Sequence, residues 1–264
     1  MDRALRELGE MDELAAGRSP VHRLHPLAKL LATIAYIAAV VSCGKYALSS
    51  MTPMLLYPVL LFQISGVPAR ACFRKLRFVL PLVLAVGAFN PLFDRAPMLA
   101  VGGVAVSGGV ISMLTLALKG VLCLSASFLL MATTPVDALC AALRKLRVPG
   151  MLTTLLLLTW RYVGVMTREL AVMTDAYRLR APGQRGVHVS AWGSFLGQLL
   201  LRSMDRAGEL YSSMRLRGFD GEFHYAEAPP FRAADAVYLA LCAGLFALFR
   251  RVDVAELLGR LAVR

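Results

Sequence analysis

Two pairs of arginines are the residues of this chain best suited to chemistry with a partner. Arg178 and Arg180 flank Leu179 just before Ala181-Pro182-Gly183, and Arg215 and Arg217 flank Leu216 just before Gly218-Phe219. An arginine fork at a helix tip can hydrogen-bond a carboxylate or carbonyl cluster with defined geometry. Arginine followed by glycine is also ordinary helix-capping chemistry. That account suffices for either ending alone, but the repetition of the Arg-Leu-Arg ending favours docking into something acidic or grooved.

The other candidates are weaker. His22 and His25 form an HxxH, but no HExxH or carboxylate in register accompanies them, and a structural metal site needs about four convergent ligands. They read as capping or interfacial residues, while His188 and His224 stand alone. The cysteines at 43, 72, 123, 140 and 242 form no CxxC and so imply neither a disulfide framework nor a zinc site. The 12 methionines are spread through apolar segments and read as packing. No GxxxxGK[ST] occurs, so the chain carries no phosphate cradle and cannot be its own ATPase.

The elements that must position these residues follow from composition. Of 264 residues, 58% are hydrophobic and only 17% charged, yet the net charge is +12. A nucleic-acid binder would be basic and polar, whereas this chain is basic and oily, as expected of an integral membrane protein with its positive charge gathered on one side of the bilayer. No signal peptide is expected, because the first apolar run starts near Leu27 behind five acidic residues.

A bilayer core is spanned by about 20 apolar residues in a helix. The segments Leu27–Ser42, Ala47–Ser65, Phe78–Phe93, Val110–Ala132 and Ala234–Phe249 meet that standard or fall slightly short of it. Lys119 interrupts the fourth and must face protein or snorkel. Pro53 and Pro58 kink the second. Ala100–Gly109 is Gly/Val-rich and reads as a surface or re-entrant piece rather than a span. Arg70, Arg74, Lys75 and Arg77 place the loop after the second span in the cytoplasm, and the N-terminus with it. Five crossings then put the C-terminus outside, where Arg250, Arg251, Arg260 and Arg264 fit poorly unless Val254, Leu257, Leu258 and Leu261 lay an amphipathic helix on the membrane surface.

Between Thr133 and Gly218 twelve Lys or Arg stand against five Asp or Glu, too charged for lipid and too apolar for a solvent-exposed domain. Amphipathic helices at the cytoplasmic face satisfy both constraints. A short one opens at Thr134-Pro135-Val136-Asp137 and closes with Arg144, Lys145 and Arg147. A long one runs from about Met151 to Arg180 with Met166, Leu170, Met173 and Tyr177 in one stripe. Another continues the apolar run at Leu199 to Leu201 as far as Arg217, with Met204, Ala207, Tyr211 and Met214 in its stripe. The two stripes are expected to pack where the helices cross.

The expected fold is therefore an all-α integral membrane protein of about five transmembrane helices plus long amphipathic cytoplasmic helices. It divides into residues 1–132 (about four spans), 133–232 (the cytoplasmic helices) and 233–264 (the last span and tail).

The chain resembles the transmembrane T component of energy-coupling factor transporters, in particular the CbiQ type associated with cobalt and nickel uptake. The resemblance rests on Asp12-Glu13-Leu14 with Ser19 to Leu31, on Leu158-Thr159-Trp160-Arg161-Tyr162 with Glu169-Leu170, and most specifically on Ser212 through Gly221. It implies two coupling helices, each docking a short arginine motif into a groove of one of two ATPase (A) subunits. The implied positions are Leu179-Arg180-Ala181 and Leu216-Arg217-Gly218. The first departs from the usual Ala-Arg-Gly form and is followed by Pro182, which leaves Arg178 and Arg180 as alternatives. The resemblance further implies a separate substrate-binding membrane (S) subunit, an optional small accessory membrane subunit, a multi-pass location in a bacterial or archaeal cytoplasmic membrane, and no cofactor on this chain, ATP being bound by its partners. A self-sufficient secondary permease is the competing reading, but it would need ionisable groups near mid-membrane, and the spans offer only Lys119.

Overall fold

Helix formers dominate the long uncharged runs, and helices are what they form. The computed structural model describes residues 2–46, 48–93, 97–101, 104–184, 186–221 and 231–251. In chain order the elements are α1 (Asp2–Ala15), α2 (Pro26–Ser42), α3 (Leu48–Met51), a 3₁₀ turn (Pro53–Leu55), α4 (Leu56–Ser65), α5 (Ala69–Gly87), α6 (Asn90–Phe93), β1 (Pro97–Val101), β2 (Val104–Ser107), α7 (Gly108–Thr133), α8 (Val136–Lys145), α9 (Gly150–Arg180), a 3₁₀ turn (Val189–Ala191), α10 (Trp192–Leu216) and α11 (Ala233–Arg251). They divide into two compact units, one of residues 14–135 with 229–264, the other of residues 1–13 with 136–228.

Among the described residues, two helices are long and apolar enough to cross a membrane, α7 and residues 233–250 of α11, rather than the five crossings expected. The reasons are local. Pro53 and Pro58 divide the second expected span into α3, a 3₁₀ turn and the ten residues of α4. The third becomes α5, whose first half carries Arg70, Arg74, Lys75 and Arg77 and whose second half contains Pro81. The first is α2, apolar but only 17 residues long, at the lower limit of about 17–25 for a span. Ala100–Gly109, expected to be a surface or re-entrant piece, overlaps the antiparallel pair β1–β2 and the start of α7. The expected C-terminal amphipathic helix lies outside the described residues.

The core of the first unit gathers around two tyrosines. Tyr36 of α2 stacks on Tyr57 of α4 with ring centres 4.6 Å apart, and Phe246 of α11 meets them at 5.2 and 5.0 Å. Leu122 and Ala126 of α7 close the cluster. The hydroxyls remain bonded, Tyr36 donating to the carbonyl of Met54 at 3.0 Å and Tyr57 sharing a bond with Tyr238 at 3.3 Å. An apolar interior tolerates a phenol only on that condition.

Helices α2 and α7 run antiparallel, and each supplies a lysine to the carbonyl end of the other. Lys119 of α7 donates to the carbonyls of Val41 and Cys43 at 3.2 and 2.6 Å. Lys29 of α2, only 4% exposed, donates to the carbonyl of Thr133 at 2.6 Å. The last carbonyls of a helix lack intrahelical partners and carry its negative partial charge, so each ammonium satisfies both at once. Lys119 thus faces protein, one of the two options its sequence position allowed.

The entry to α7 depends on Gly109. A Cβ there would lie 2.4 Å from Pro91 Cα and 2.6 Å from the Asn90 carbonyl oxygen, both backbone atoms of α6. Gly109→Ala is therefore expected to force α6 and α7 apart, lowering stability by about 1–3 kcal/mol as overpacking does. Thermal unfolding in detergent is the measurement. A midpoint unchanged from that of the unsubstituted chain would mean that the two backbones do not approach so closely.

Candidate docking site at two helix tips

In the second unit, α9 runs from Gly150 to Arg180, close to the limits its periodicity predicts. It stops because Pro182 lacks an amide hydrogen and restricts the residue before it. Ala181 leaves helical geometry at φ −125°, ψ 67° while its amide still donates to the Tyr177 carbonyl at 3.0 Å. The Tyr177 hydroxyl donates to Gln184 Oε1 at 2.9 Å and accepts the His188 amide at 3.4 Å, so this stripe residue holds the connection that leads to α10. Arg178, Leu179 and Arg180 are exposed, Leu179 by 84%.

Helix α10 starts at Trp192, earlier than expected, and ends at Leu216 in a different way. Phe219 donates its amide to the Met214 carbonyl and Gly218 to the Arg215 carbonyl, both at 3.0 Å. This pair of bonds is the Schellman closure, which places one residue in the left-handed region. Gly218 occupies it at φ +83°. Nothing lies within 4 Å of a Cβ built there, so Gly218→Ala is expected to lose about 1–2 kcal/mol through backbone strain alone. Hydrogen exchange should accordingly speed up at the Gly218 and Phe219 amides and not at the middle of α10. Uniform protection along the helix would show that the turn does not depend on glycine.

The two tips present similar chemistry on different scaffolds. Leu216 is 90% exposed, and Arg217 stands beside it in the open. Among the described residues neither Arg180 nor Arg217 has an acceptor for its guanidinium, whereas Arg178 lies 3.5 Å from Asp175 and Arg215 sits 6.0 Å over the Tyr211 ring. The alternatives at the first tip thus differ in how far each is already engaged within its own helix. Ala181 is half-buried behind the exposed arginines, and Gly218 is exposed.

The helices meet through charge. Arg202 of α10 pairs with Glu169 of α9, a contact that sequence reading did not single out although both residues lie beside the quoted stripes. Met166, Leu170, Met173 and Tyr177 are half-buried. On α10 only Met214 is half-buried; Ala207 is exposed, and Met204 and Tyr211 are 63% and 56% exposed. Within this chain the second stripe therefore remains largely uncovered.

His22 and His25, read as capping or interfacial residues, make bonds of that kind, while His224 lies outside the described residues. His22 donates from Nε2 to the Leu14 carbonyl at 2.9 Å and shares a bond between Nδ1 and Ser19 Oγ at 2.7 Å. His25 accepts the Leu27 amide at 3.1 Å as the cap of α2. Among the described residues no group of three or more His, Cys, Asp or Glu converges as metal ligands. Burial pushes the Cys140 thiol up, with Asp137 adding to the rise, which favours the protonated and unreactive form.

Sequence reading missed Asp235 entirely. It lies 4% exposed at the start of α11, accepting the His25 amide at 2.8 Å and the Arg232 amide at 2.9 Å, and so ties the beginnings of α2 and α11 together. The signal was present as an isolated acid three residues into an apolar run, the position from which a carboxylate reaches back to the capping amide.

Two helices long and apolar enough to cross a bilayer, together with long basic amphipathic helices ending in exposed arginines, suit a helical membrane protein. The chain belongs to the CbiQ family of cobalt transport proteins, whose family profile matches residues 17–225. A cobalt transport protein CbiQ of Rhodobacter capsulatus is 36% identical over 115 residues, 42% of this chain and 46% of that protein. The nickel permease LarQ of Lactiplantibacillus plantarum is 33% identical over 109 residues, 41% of this chain and 39% of that protein. The matched stretch thus spans less than half the length of either relative. A longer match, 25% identical over 223 residues, covers 77% of this chain and 81% of the energy-coupling factor transporter transmembrane protein EcfT of Leuconostoc gelidum.

Proposed function

We propose that this chain is the non-catalytic coupling subunit of an energy-coupling factor importer for cobalt or nickel, seated as a multi-pass protein in the cytoplasmic membrane. Two ATPase subunits bind its helix tips and hydrolyse ATP; a separate membrane subunit holds the metal ion, which is cargo and not a cofactor of this chain. The observation that carries the reading is that α9 and α10, in one unit, both end in exposed arginines whose guanidiniums at 180 and 217 have no acceptor among the described residues. A partner groove lined with carboxylates or carbonyls would supply those acceptors. The names of the family and of its relatives support the choice of cobalt or nickel. The largely uncovered stripe at Met204, Ala207 and Tyr211 suits contact with a membrane subunit, and methionine-rich faces adapt to sliding. Coexpression with a P-loop ATPase and a metal-binding membrane protein from the same genome is the test. ATP-dependent metal uptake into proteoliposomes should require all components. Uptake by this chain alone would overturn the reading in favour of a self-sufficient permease.

A further inference from the structure

The first unit contains a second basic site. A cleft of about 340 Å³ opens where α2 and α11 begin, rimmed by Arg18, Arg23 and Arg232, floored by Asp235 and walled on one side by Pro20 and Leu24. Its size is at the lower end of the roughly 300–1,000 Å³ typical of small-ligand sites. Its charge is not balanced from within. Both Asp235 oxygens accept main-chain amides, from His25 and Arg232, and Lys29 lies close enough to act on the same group electrostatically. The three guanidiniums have no acceptor of their own among the described residues, and the four charged lining residues sum to +2. Three exposed arginines converging on one cleft, with the positive ends of two helices beside them, favour a planar-faced oxyanion that can accept paired bonds.

Depth decides which oxyanion. The cleft lies at the N-terminal end of α11, whose residues 233–250 are apolar enough to cross a membrane. The C-terminal end of α7, the other such helix, is at the same level, because Lys29 next to the cleft binds the carbonyl of Thr133. Phe231, next to Arg232 in the chain, is 48% exposed with its ring 5.4 Å from that of His25, an exposure that suits aromatic residues at the membrane–water boundary. Basic pockets between membrane helices at this level suit acidic headgroups. We propose that the cleft binds the phosphate of an anionic phospholipid headgroup.

The test uses the full chain in a neutral detergent, with native mass spectrometry reading retained lipid and thermal unfolding reading stabilisation. Phosphatidylglycerol is the probe, phosphatidylcholine the neutral comparison, and millimolar inorganic phosphate the free-anion arm. The chain should retain phosphatidylglycerol in preference to phosphatidylcholine. Arg23→Gln with Arg232→Gln should reduce that retention about tenfold. The charge-matched control, Arg70→Gln with Arg77→Gln on the exposed start of α5, should change it less than about twofold. If the glutamine pair fails to fold, Arg23→Lys with Arg232→Lys keeps the charge but loses the paired geometry, and retention should fall between the two. Stabilisation by inorganic phosphate that the Arg23/Arg232 pair abolishes, without any preference for phosphatidylglycerol, would assign the cleft to a free anion and overturn the headgroup. Equal losses in the test and control pairs, or equal retention of both lipids, would reduce the three arginines to general surface charge and overturn the site altogether.

Discussion

Arg217→Glu is expected to abolish capture of the ATPase subunits while the chain still folds and inserts. The expectation combines two structural facts. Arg217 lies outside both helices fit for crossing the membrane, and among the described residues its guanidinium has no acceptor that its loss would leave unpaired. Its backbone, closed by the Gly218 and Phe219 bonds, tolerates glutamate, so the tip keeps its shape and only the sign of its charge changes. If the partner groove offers acceptors, the reversed charge leaves them unpaired and repelled, at a cost of about 2–5 kcal/mol or roughly 30- to 5,000-fold in affinity. Arg180→Glu should behave alike at the other tip. Arg178→Glu separates the alternatives there, because Arg178 already spends part of its charge on Asp175. It should matter more than Arg180→Glu only if the proline shifts the docking register. Arg161→Glu and Arg168→Glu, well before the tip, should disturb assembly less. Pull-down of the ATPase subunits and uptake by the reconstituted complex give the measurement. Full assembly and full uptake with glutamate at both 180 and 217 would make the two arginines ordinary helix caps.

How much of this was legible in the sequence depends on the range of the interaction that fixes each feature. The bounds of α9 were readable because Pro149-Gly150 and Pro182 punctuate it and because its apolar residues recur at helical spacing, both local properties. The end of α10 was readable in the same way from Gly218. The division of the second span was half legible: Pro53 and Pro58 were noted as a kink, but whether such a kink splits a helix depends on which neighbours accept the freed carbonyls, and that is tertiary information. Lys119 could be restricted to protein or interface, yet its partners at Val41 and Cys43 are more than seventy residues away. The overlooked Asp235 illustrates the limit. Its reach to the Arg232 amide is local, but its bond to the His25 amide joins residues 210 apart, and no period or motif announces such a pairing. The uncovered stripe of α10 belongs to the same class: periodicity identified its face, but not what packs on it.

Asp235→Ala should be among the most destabilising substitutions in the chain, and more so than its single carboxylate suggests. The buried carboxylate satisfies the His25 and Arg232 amides, so alanine leaves two donors unpaired at the starts of α2 and α11. It also removes the negative group that acts on Lys29, which is itself 4% exposed. Removing one member of a buried charged set typically costs about 3–5 kcal/mol, because the remaining charge is left uncompensated. For a chain of this size that corresponds to a fall in Tm of about 6–20 °C. Asp235→Asn should fall between, since the amide oxygen can keep one of the two bonds while its NH₂ faces the other donor. Lys29→Met should cost less than Asp235→Ala: it frees the Thr133 carbonyl but leaves both amide bonds to Asp235 intact. The double variant tests the coupling. Once Lys29 is gone, the charge on Asp235 has less to compensate, so the double loss should be smaller than the sum of the single losses by about 0.5–3 kcal/mol. Asp175→Ala is the reference, because that side chain is 70% exposed and its ion pair with Arg178 is a surface one, of little worth. An Asp235→Ala variant no less stable than Asp175→Ala would mean that α2 and α11 are held together by the Tyr36, Tyr57 and Phe246 cluster without help from Asp235, and strictly additive losses in the double variant would mean that Lys29 and Asp235 act independently.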